Sequence, residues 1–224
     1  MSAPAATPSP SRQPVLERIR AATQSVAKDA PRLADAYAAL PRAYTRRGEL
    51  SDAACIQLMI ERLREYDAEV VESTPTGVHA AIAAQLAASR RHTFVAPPGL
   101  PPEWLASGFT WKLDNNLSTA EIELADGVVT AAFCGVSDSG TIVLHHSSAE
   151  GRRVLTLLPD WHLCILRASQ VVETLPEYFD RCEKPPVLFT TISGPSATAD
   201  IEMTRIKGVH GPRFLHVILV RDEI

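Results

Sequence analysis

The spacing of apolar and polar residues predicts helices in the first part of the chain and a mixture of strands and helices after it. Three stretches place apolar side chains at helical spacing: residues 15–30, 33–40 and 51–66. Residues 68–72 and 92–96 have strand composition, and an Ala-rich helical stretch at 78–89 lies between them. This strand–helix–strand succession is typical of a parallel sheet.

Apolar runs in the second half predict further strands of the same sheet. They lie at residues 128–136, 141–144, 154–158, 163–166, 187–192 and 214–220. A helix is expected at 175–183, where Lys184-Pro-Pro186 ends it. The pattern therefore predicts an α/β protein with a mostly parallel sheet, and the N-terminal helices are expected to cap it or to cover one face.

The same pattern divides the chain into three parts. Residues 1–13 are rich in Ala, Pro and Ser and are expected to be a disordered leader, residues 14–66 a helical region, and residues 67–224 the α/β domain. The leader lacks the apolar centre of a signal peptide, and no run approaches the roughly 18 apolar residues of a membrane span. We expect a cytoplasmic protein.

Charge and cysteine usage exclude several classes of function. The net charge of -4 includes no basic excess of the kind that favours nucleic acid. The four cysteines, Cys55, Cys134, Cys164 and Cys182, include no closely spaced pair, so neither a zinc site nor an intrinsic iron–sulfur cluster is expected. Any iron–sulfur cluster that the function requires is therefore expected on a partner protein.

A metal site is not expected from the histidines either. His145 and His146 are adjacent, and neighbouring side chains of a strand point to opposite faces, so the two cannot hold one ion there. The chain also lacks the Gly-x-Ser-x-Gly elbow of serine hydrolases, the P-loop and the Gly-x-Gly-x-x-Gly motif.

A polar, glycine-containing segment between the apolar runs 187–192 and 214–220 is the main candidate for a ligand site. Strands hold the ends of such a loop while hydroxyls and backbone N–H groups stay free for a ligand. The predicted ligand contacts of this segment are Ser193, Gly194, Ser196, Thr198, Gly208 and Gly211. The hydroxyls are donors for an anion, and if a helix begins after Pro195, its free N–H groups would favour a carboxylate or a phosphate.

Three residues of this segment are candidates for proton transfer or catalysis. His210 lies between Gly208 and Gly211 and is suited to donate to an anion or to move a proton near neutral pH. Asp200 and Glu202 share one face if the segment is a strand, and one of them would order the hydroxyls or act as a general base. The alternative for His210 is a structural bond to backbone carbonyls.

A second polar turn follows the apolar run at 128–136. It sets a carboxylate, hydroxyls and a flexible backbone at the end of a strand, and its predicted ligand contacts are Asp138, Ser139, Gly140 and Thr141. A tight hairpin turn is the alternative. Together the two segments predict an anion pocket built from two strand-end loops.

These segments resemble the LUD domain, the lactate-utilisation protein C family. The likeness is most specific in Ser193-Gly-Pro-Ser-Ala-Thr-Ala-Asp-Ile-Glu202 and Gly208-Val-His-Gly-Pro212, and 136–144 and 157–162 are similar to further family motifs. The resemblance implies a three-layer α/β/α fold of the NagB/RpiA/CoA-transferase-like type. One departure from the family pattern is Asp138, where the family usually has a Glu.

The resemblance also implies a function. Family members act in the oxidation of L-lactate to pyruvate as one subunit beside two iron–sulfur partner proteins, so this chain is expected to be such a subunit and to bind a small anion. Two alternatives stay open. One is a stand-alone enzyme on a sugar-phosphate isomerase or CoA-transferase-like scaffold, and the other is a non-catalytic module that binds a metabolite.

Overall fold

The computed structural model describes residues 12–28, 30–184, 186–198, 206–208 and 210–221. The chain forms two compact units, Met1–Tyr44 and Thr45–Ile224. Helices α1 (Arg12–Lys28) and α2 (Ala30–Ala38) belong to the first unit. Most of the predicted leader, residues 1–11, lies outside the described residues. None of the described helices combines the length and apolar character that crossing a membrane requires.

The second unit contains the remaining helices. They are α3 (Asp52–Glu65), α4 (Val78–Ser89), α5 (Thr119–Glu123) and α6 (Leu175–Asp180), with 3₁₀ turns at Pro102–Trp104, Arg153–Thr156 and Ala168–Gln170. Ser51 caps α3 by accepting from the Ala54 N–H, and Ser118 and Glu121 form the reciprocal cap of α5. The unit that holds the sheet thus includes α3, which the sequence placed in the N-terminal helical region.

The described residues of this unit include twelve strands. They are β1 (Glu69–Ser73), β2 (Thr93–Ala96), β3 (Thr110–Leu113), β4 (Gly127–Ala131), β5 (Cys134–Val136), β6 (Thr141–Leu144), β7 (Trp161–Arg167), β8 (Val171–Val172), β9 (Thr190–Ile192), β10 (Ala197–Thr198), β11 (Ile206–Lys207) and β12 (Phe214–Val220). Six of them form one sheet in the order β1-β12-β7-β4-β2-β3, and every pair in it is parallel. This confirms the predicted parallel sheet.

A smaller four-stranded sheet, in the order β8-β5-β6-β9, accompanies the main sheet. In it β5 and β6 form an antiparallel hairpin, β9 extends the sheet antiparallel to β6, and β8 pairs in parallel with β5. Strands β10 and β11 pair only with each other among the described residues. The strands of this small sheet lie between β4 and β7 and after β7 in the chain. The predicted turn at 137–140 therefore connects two of its strands, and the predicted segment from Ser193 onward follows its edge strand β9.

Alternation along β12 shows how the layers are packed. Leu215, Val217 and Leu219 face the cluster that contains the buried side of α3, whereas Ile218 and Val220 face the cluster that contains α4. Because successive side chains of a strand point to opposite faces, one helix covers each face of the central sheet. The three-layer α/β/α arrangement is therefore confirmed.

Two predicted core strands are wrong. A 3₁₀ turn at Arg153–Thr156 replaces the strand predicted at 154–158, since Val154, Leu155 and Leu158 all pack in the cluster around Ile122, and that spacing is helical rather than alternating. The predicted strand at 187–192 shortens to β9, at the edge of the small sheet. Val187 is 98% exposed, so the polar segment does not run between two core strands.

Candidate functional site

A polar cavity of about 230 Å³ lies at the amino ends of β7 and β12. His162 and Leu215, the second residues of these strands, are paired in register and line its inner wall. Residues 193–197 and 210–212 contribute backbone and hydroxyl groups, and Arg153 and Thr156 come from the 3₁₀ turn that precedes β7. The cavity therefore joins the predicted polar segment to residues that sequence reasoning did not select.

Ser196 links the two halves of the predicted segment. Its N–H donates to the Pro212 carbonyl (2.8 Å), and its own carbonyl accepts from the Gly208 N–H (2.9 Å). Its hydroxyl accepts from the backbone N–H of His210 (2.9 Å). The serine loop and His210 thus meet at the cavity, as the sequence suggested, and the exposed His210 ring lies at its rim.

The second predicted turn, residues 137–140, connects β5 and β6 as a hairpin. Thr141 is its link to the cavity, because the Thr141 hydroxyl lies 2.8 Å from that of Ser139 and 2.7 Å from that of Ser193. Asp138 and Ser139 are exposed, and neither lines the cavity. The structure therefore brings Thr141 and Ser193 together and leaves the Asp138 carboxylate outside the pocket.

Two glycines in these loops are explained by packing against α3. Gly140 (φ 60°) and Gly194 (φ 79°) are in the left-handed region, and a Cβ on each would lie 2.6 Å from the Cβ of Arg62 and 2.5 Å from the Cβ of Tyr66, respectively. The sequence predicted that Gly194 contacts a ligand through its backbone. In the structure, the absence of a side chain at Gly194 leaves room for Tyr66 at the end of α3.

Several predicted residues are only partly covered by the structure. Asp200 and Glu202, the two acidic catalytic candidates, lie outside the described residues. Thr198 is described by its backbone in β10. Gly211 lines the cavity, whereas Gly208 lies against the side chain of Arg213.

Among the residues that line the cavity, Arg153 supplies the guanidinium group. One of its terminal nitrogens donates to the Thr156 carbonyl (2.8 Å) and to the Thr156 hydroxyl (3.0 Å), which orients the guanidinium. Within the part of the chain that the structure describes, no carboxylate forms an ion pair with it. Nothing in the sequence pattern separated Arg153 from its neighbour Arg152, whose guanidinium binds the buried Asp114.

His162 is buried, with 1% of its surface exposed, and its Nε2 lies 2.8 Å from the Thr130 hydroxyl. Burial, and to a lesser degree the nearby positive charge of Arg153, lowers the pKa of His162 to about 3. The imidazole is therefore neutral near pH 7. A sequence signal did exist, because Thr130 and His162 are polar residues inside two otherwise apolar central strands.

The other histidines and the cysteines do not build a metal centre in the described residues, where no three His, Cys, Asp or Glu side chains gather as ligands. His145 bonds to the Tyr178 hydroxyl (2.8 Å) and His146 to the Thr190 hydroxyl (3.0 Å), so the adjacent pair has separate partners. Cys55, Cys134 and Cys164 are buried and Cys182 is half-buried, all as free thiols.

The fold and the cavity together define a mostly parallel α/β protein with a small polar pocket at the amino ends of two central strands. A model of the LUD domain matches residues 102–220, which is more than half of the chain and includes every residue that lines the cavity. The chain belongs to the LUD domain family.

Individual relatives agree with this assignment. The chain is 39% identical over 177 residues to Lactate utilization protein C of Deinococcus radiodurans, covering 76% of this chain and 82% of that protein. It is 32% identical over 146 residues to Lactate utilization protein C of Bacillus velezensis, covering 60% of each. A crystal structure of a DUF162 family protein from Deinococcus radiodurans superposes with a TM-score of 0.64 at 35% identity, covering 77% of this chain and 99% of that one.

Proposed function

We propose that this protein acts in lactate utilisation as a subunit of an assembly that oxidises L-lactate to pyruvate with iron–sulfur partner proteins. Support for the pathway comes from the relatives named Lactate utilization protein C. In this proposal the pocket at the amino ends of β7 and β12 binds a small carboxylate.

The observation that carries the proposal is the position of Arg153 in this cavity. A guanidinium presents several N–H groups in a planar fork that matches the two oxygens of a carboxylate. The contacts to Thr156 hold the fork in place, so its remaining N–H groups are oriented before a ligand arrives. Hydroxyls of the surrounding serines and threonines supply further donors.

The size of the cavity favours a small ligand. About 230 Å³ accommodates an acid of a few carbon atoms, whereas an acyl-CoA would extend far beyond it. His210 lies at the rim, and the lining contains five Ser and Thr residues: Thr156, Thr190, Thr191, Ser193 and Ser196. These features favour a short carboxylate over the alternative substrates of a CoA-transferase-like scaffold.

The electrons of lactate oxidation are assigned to the partner proteins. Converting lactate to pyruvate releases two electrons and two protons, which requires an acceptor. Burial raises the pKa of Cys134 and of Cys164 to about 12, so both thiols keep their protons and are poor metal ligands near pH 7. The proposal therefore places the iron–sulfur clusters on the partners, while this chain holds the acid.

Binding of L-lactate to the purified protein tests the pocket. Arg153→Gln is expected to weaken binding by roughly tenfold or more, since a charge-assisted contact contributes about 1.5–3 kcal/mol. Lys112→Gln removes the same charge from strand β3 at the far edge of the sheet and is expected to leave the affinity unchanged. Equal affinities of the two variants would contradict the assignment of Arg153.

A growth experiment tests the pathway and the partners. Deletion of the gene is expected to abolish growth on L-lactate in a strain without another lactate oxidase, and the Arg153→Gln variant is expected not to restore it. A tagged copy isolated from lactate-grown cells should bring down proteins with iron–sulfur absorption spectra. Normal growth of the deletion strain would reject the proposed function.

A further inference from the structure

A second and larger cavity, the carboxyl-end cavity, lies at the other ends of the same two central strands. Its volume is about 540 Å³, and its lining includes Ala168 and Ser169, which follow β7, and Arg221, which follows β12. About 20 Å of strand separates it from the pocket at the amino ends, because each strand has seven residues. In open parallel α/β sheets, ligands bind outside the carboxyl ends of the strands.

Arg181 brings a positive charge to the carboxyl-end cavity. It is the C-cap residue of α6, and its two terminal nitrogens donate to the carbonyls of Ser169 (3.1 Å) and Val171 (3.2 Å). These two bonds anchor the guanidinium at the cavity and leave its other N–H groups for a ligand. In the described ranges of the chain, Arg181 forms no ion pair with a carboxylate.

Arg221 brings a second guanidinium from a different element. Its backbone N–H donates to the carbonyl of Ser73 (2.8 Å), the last residue of β1, and its side-chain Nε donates to the Glu72 carboxylate. Glu72 does not line the cavity, and no described residue accepts a bond from the two terminal nitrogens of Arg221. Both arginines are therefore held by the protein through some of their N–H groups and keep others for a ligand.

The rest of the lining combines an apolar wall with one acid. The wall is formed by small and branched side chains of α3, of the turn after β7 and of β8: Ala53, Ile56, Ala168 and Val171. The acid is Asp52, in the first turn of α3, whose carboxylate can accept hydrogen bonds from ligand hydroxyls. The volume lies within the roughly 300–1,000 Å³ of small-molecule and cofactor sites.

We propose that the carboxyl-end cavity is a second ligand site, which binds an organic phosphate of nucleotide size. Arg181 and Arg221 hold the phosphate, because arginine forks match phosphate oxygens. Asp52 accepts hydrogen bonds from the sugar hydroxyls, and the apolar wall covers the base. The site is independent of the proposed function, since it shares no lining residue with the pocket at the amino ends of β7 and β12.

Calorimetric titration of the full chain with AMP tests this site, with adenosine and inorganic phosphate as the two parts of the molecule. AMP is expected to bind at least about tenfold more tightly than either part, because only AMP contacts the arginines and the apolar wall together. Inorganic phosphate that binds as tightly as AMP, or AMP that does not bind, overturns the proposal.

Arg181→Gln and Arg221→Gln test the two guanidinium groups. Each is expected to weaken AMP binding by about tenfold, the size of one charge-assisted hydrogen bond, and to leave adenosine binding unchanged. Arg64→Gln is the matched control, because Arg64 also donates to a backbone carbonyl, that of Val70 (3.3 Å), but does not line the cavity. An equal loss of AMP affinity in Arg64→Gln overturns the assignment of the two arginines.

Amide NMR shifts of the unsubstituted protein locate AMP without depending on a variant that folds. Shifts are expected at Ala53, Ile56 and Ala168, and shifts confined to residues 193–197 and 210–212 would overturn the proposal. Saturating L-lactate is expected to leave the AMP affinity unchanged, and direct competition between the two ligands would contradict a separate site. If AMP binds here and L-lactate binds nowhere, this site stands while the proposed function fails. If only L-lactate binds, the reverse holds.

Discussion

The hairpin turn at 137–140 and the pocket loop at 193–197 look alike in sequence but have different surroundings. Each contains serines and a glycine, and each glycine packs against the end of α3. The pocket loop lines the cavity beside Arg153 and His162, whereas Asp138 and Ser139 of the hairpin turn are exposed to solvent. Glycine and hydroxyl content therefore indicated two turns that pack against α3, but it did not indicate which of them lines a cavity.

What separates the two loops is the residues that meet them from elsewhere in the chain. The 3₁₀ turn before β7 supplies Arg153, and the interior of β7 supplies His162. The cation that meets the hairpin turn, Arg62 of α3, already forms an ion pair with Glu65. A loop becomes a binding site when charged and neutral polar groups from other elements converge on it.

The largest expected effect tests whether the hairpin turn is primarily a packing element. Gly140→Ala should lower the free energy of unfolding by about 3 kcal/mol. The alanine would have to adopt a left-handed backbone conformation, and its Cβ would clash with the Cβ of Arg62. Urea denaturation measures the loss. Gly108→Ala is the control, since Gly108 also has a positive φ (89°) but nothing lies within 4 Å of an added Cβ, so about 1 kcal/mol is expected.

A loss at Gly140 no greater than that at Gly108 would show that α3 moves away freely. Tight packing against α3 would then not explain the glycine at position 140.

A smaller effect is expected from the hydroxyl contact between Thr141 and Ser193, which joins the two loops. Thr141→Val and Ser193→Ala each remove one side of the hydroxyl contact, and a double-mutant cycle on unfolding free energies should give a coupling of about 1 kcal/mol. Additive losses would mean that the two loops are energetically independent, even though their hydroxyls are in contact.

The smallest expected effect is a pH dependence of the unfolding free energy that comes from the ion pair between Asp160 and Arg213. The Arg213 guanidinium holds the Asp160 carboxylate through two bonds (2.7 and 2.9 Å) and lowers the pKa of Asp160, which tethers the segment after His210 to the start of β7. Because the folded pKa lies below the unfolded value of about 3.9, the stabilisation is complete above that value and disappears as pH falls through the folded pKa.

Asp160→Asn should therefore lower the unfolding free energy by about 0.5 kcal/mol at pH 7, the size expected of a partly exposed pair. Denaturation curves of the variant and the unsubstituted protein should converge as the solution is acidified below about pH 4. A difference that persists in acid would show that the aspartate acts through something other than its charge.

Much of the fold could be read from local patterns. The range of α4, predicted at 78–89, depends on neighbouring residues alone, and the structure confirms it. The 3₁₀ turn at Arg153–Thr156 was missed because a short run of branched residues suits either a strand or a helical turn. The spacing of Val154, Leu155 and Leu158 was the signal that could have distinguished them.

The candidate site was harder to predict because it depends on contacts between distant segments. Ser196 and His210 lie close in sequence, and their meeting was foreseen. Arg153 could not be chosen over Arg152 without knowing that Asp114 binds the latter. His162 carried a readable signal, a polar residue within an apolar strand, but its partner Thr130 is 32 residues away.

The position of β12 in the sheet has a consequence for synthesis. This strand lies between β1 and β7, although it is the last strand of the described chain. While the ribosome is still making residues 214–220, β1 has no partner in the main sheet and β7 has an open edge. Exposed strand edges recruit other chains, so a nascent or truncated form is the state in which chaperones should be needed most.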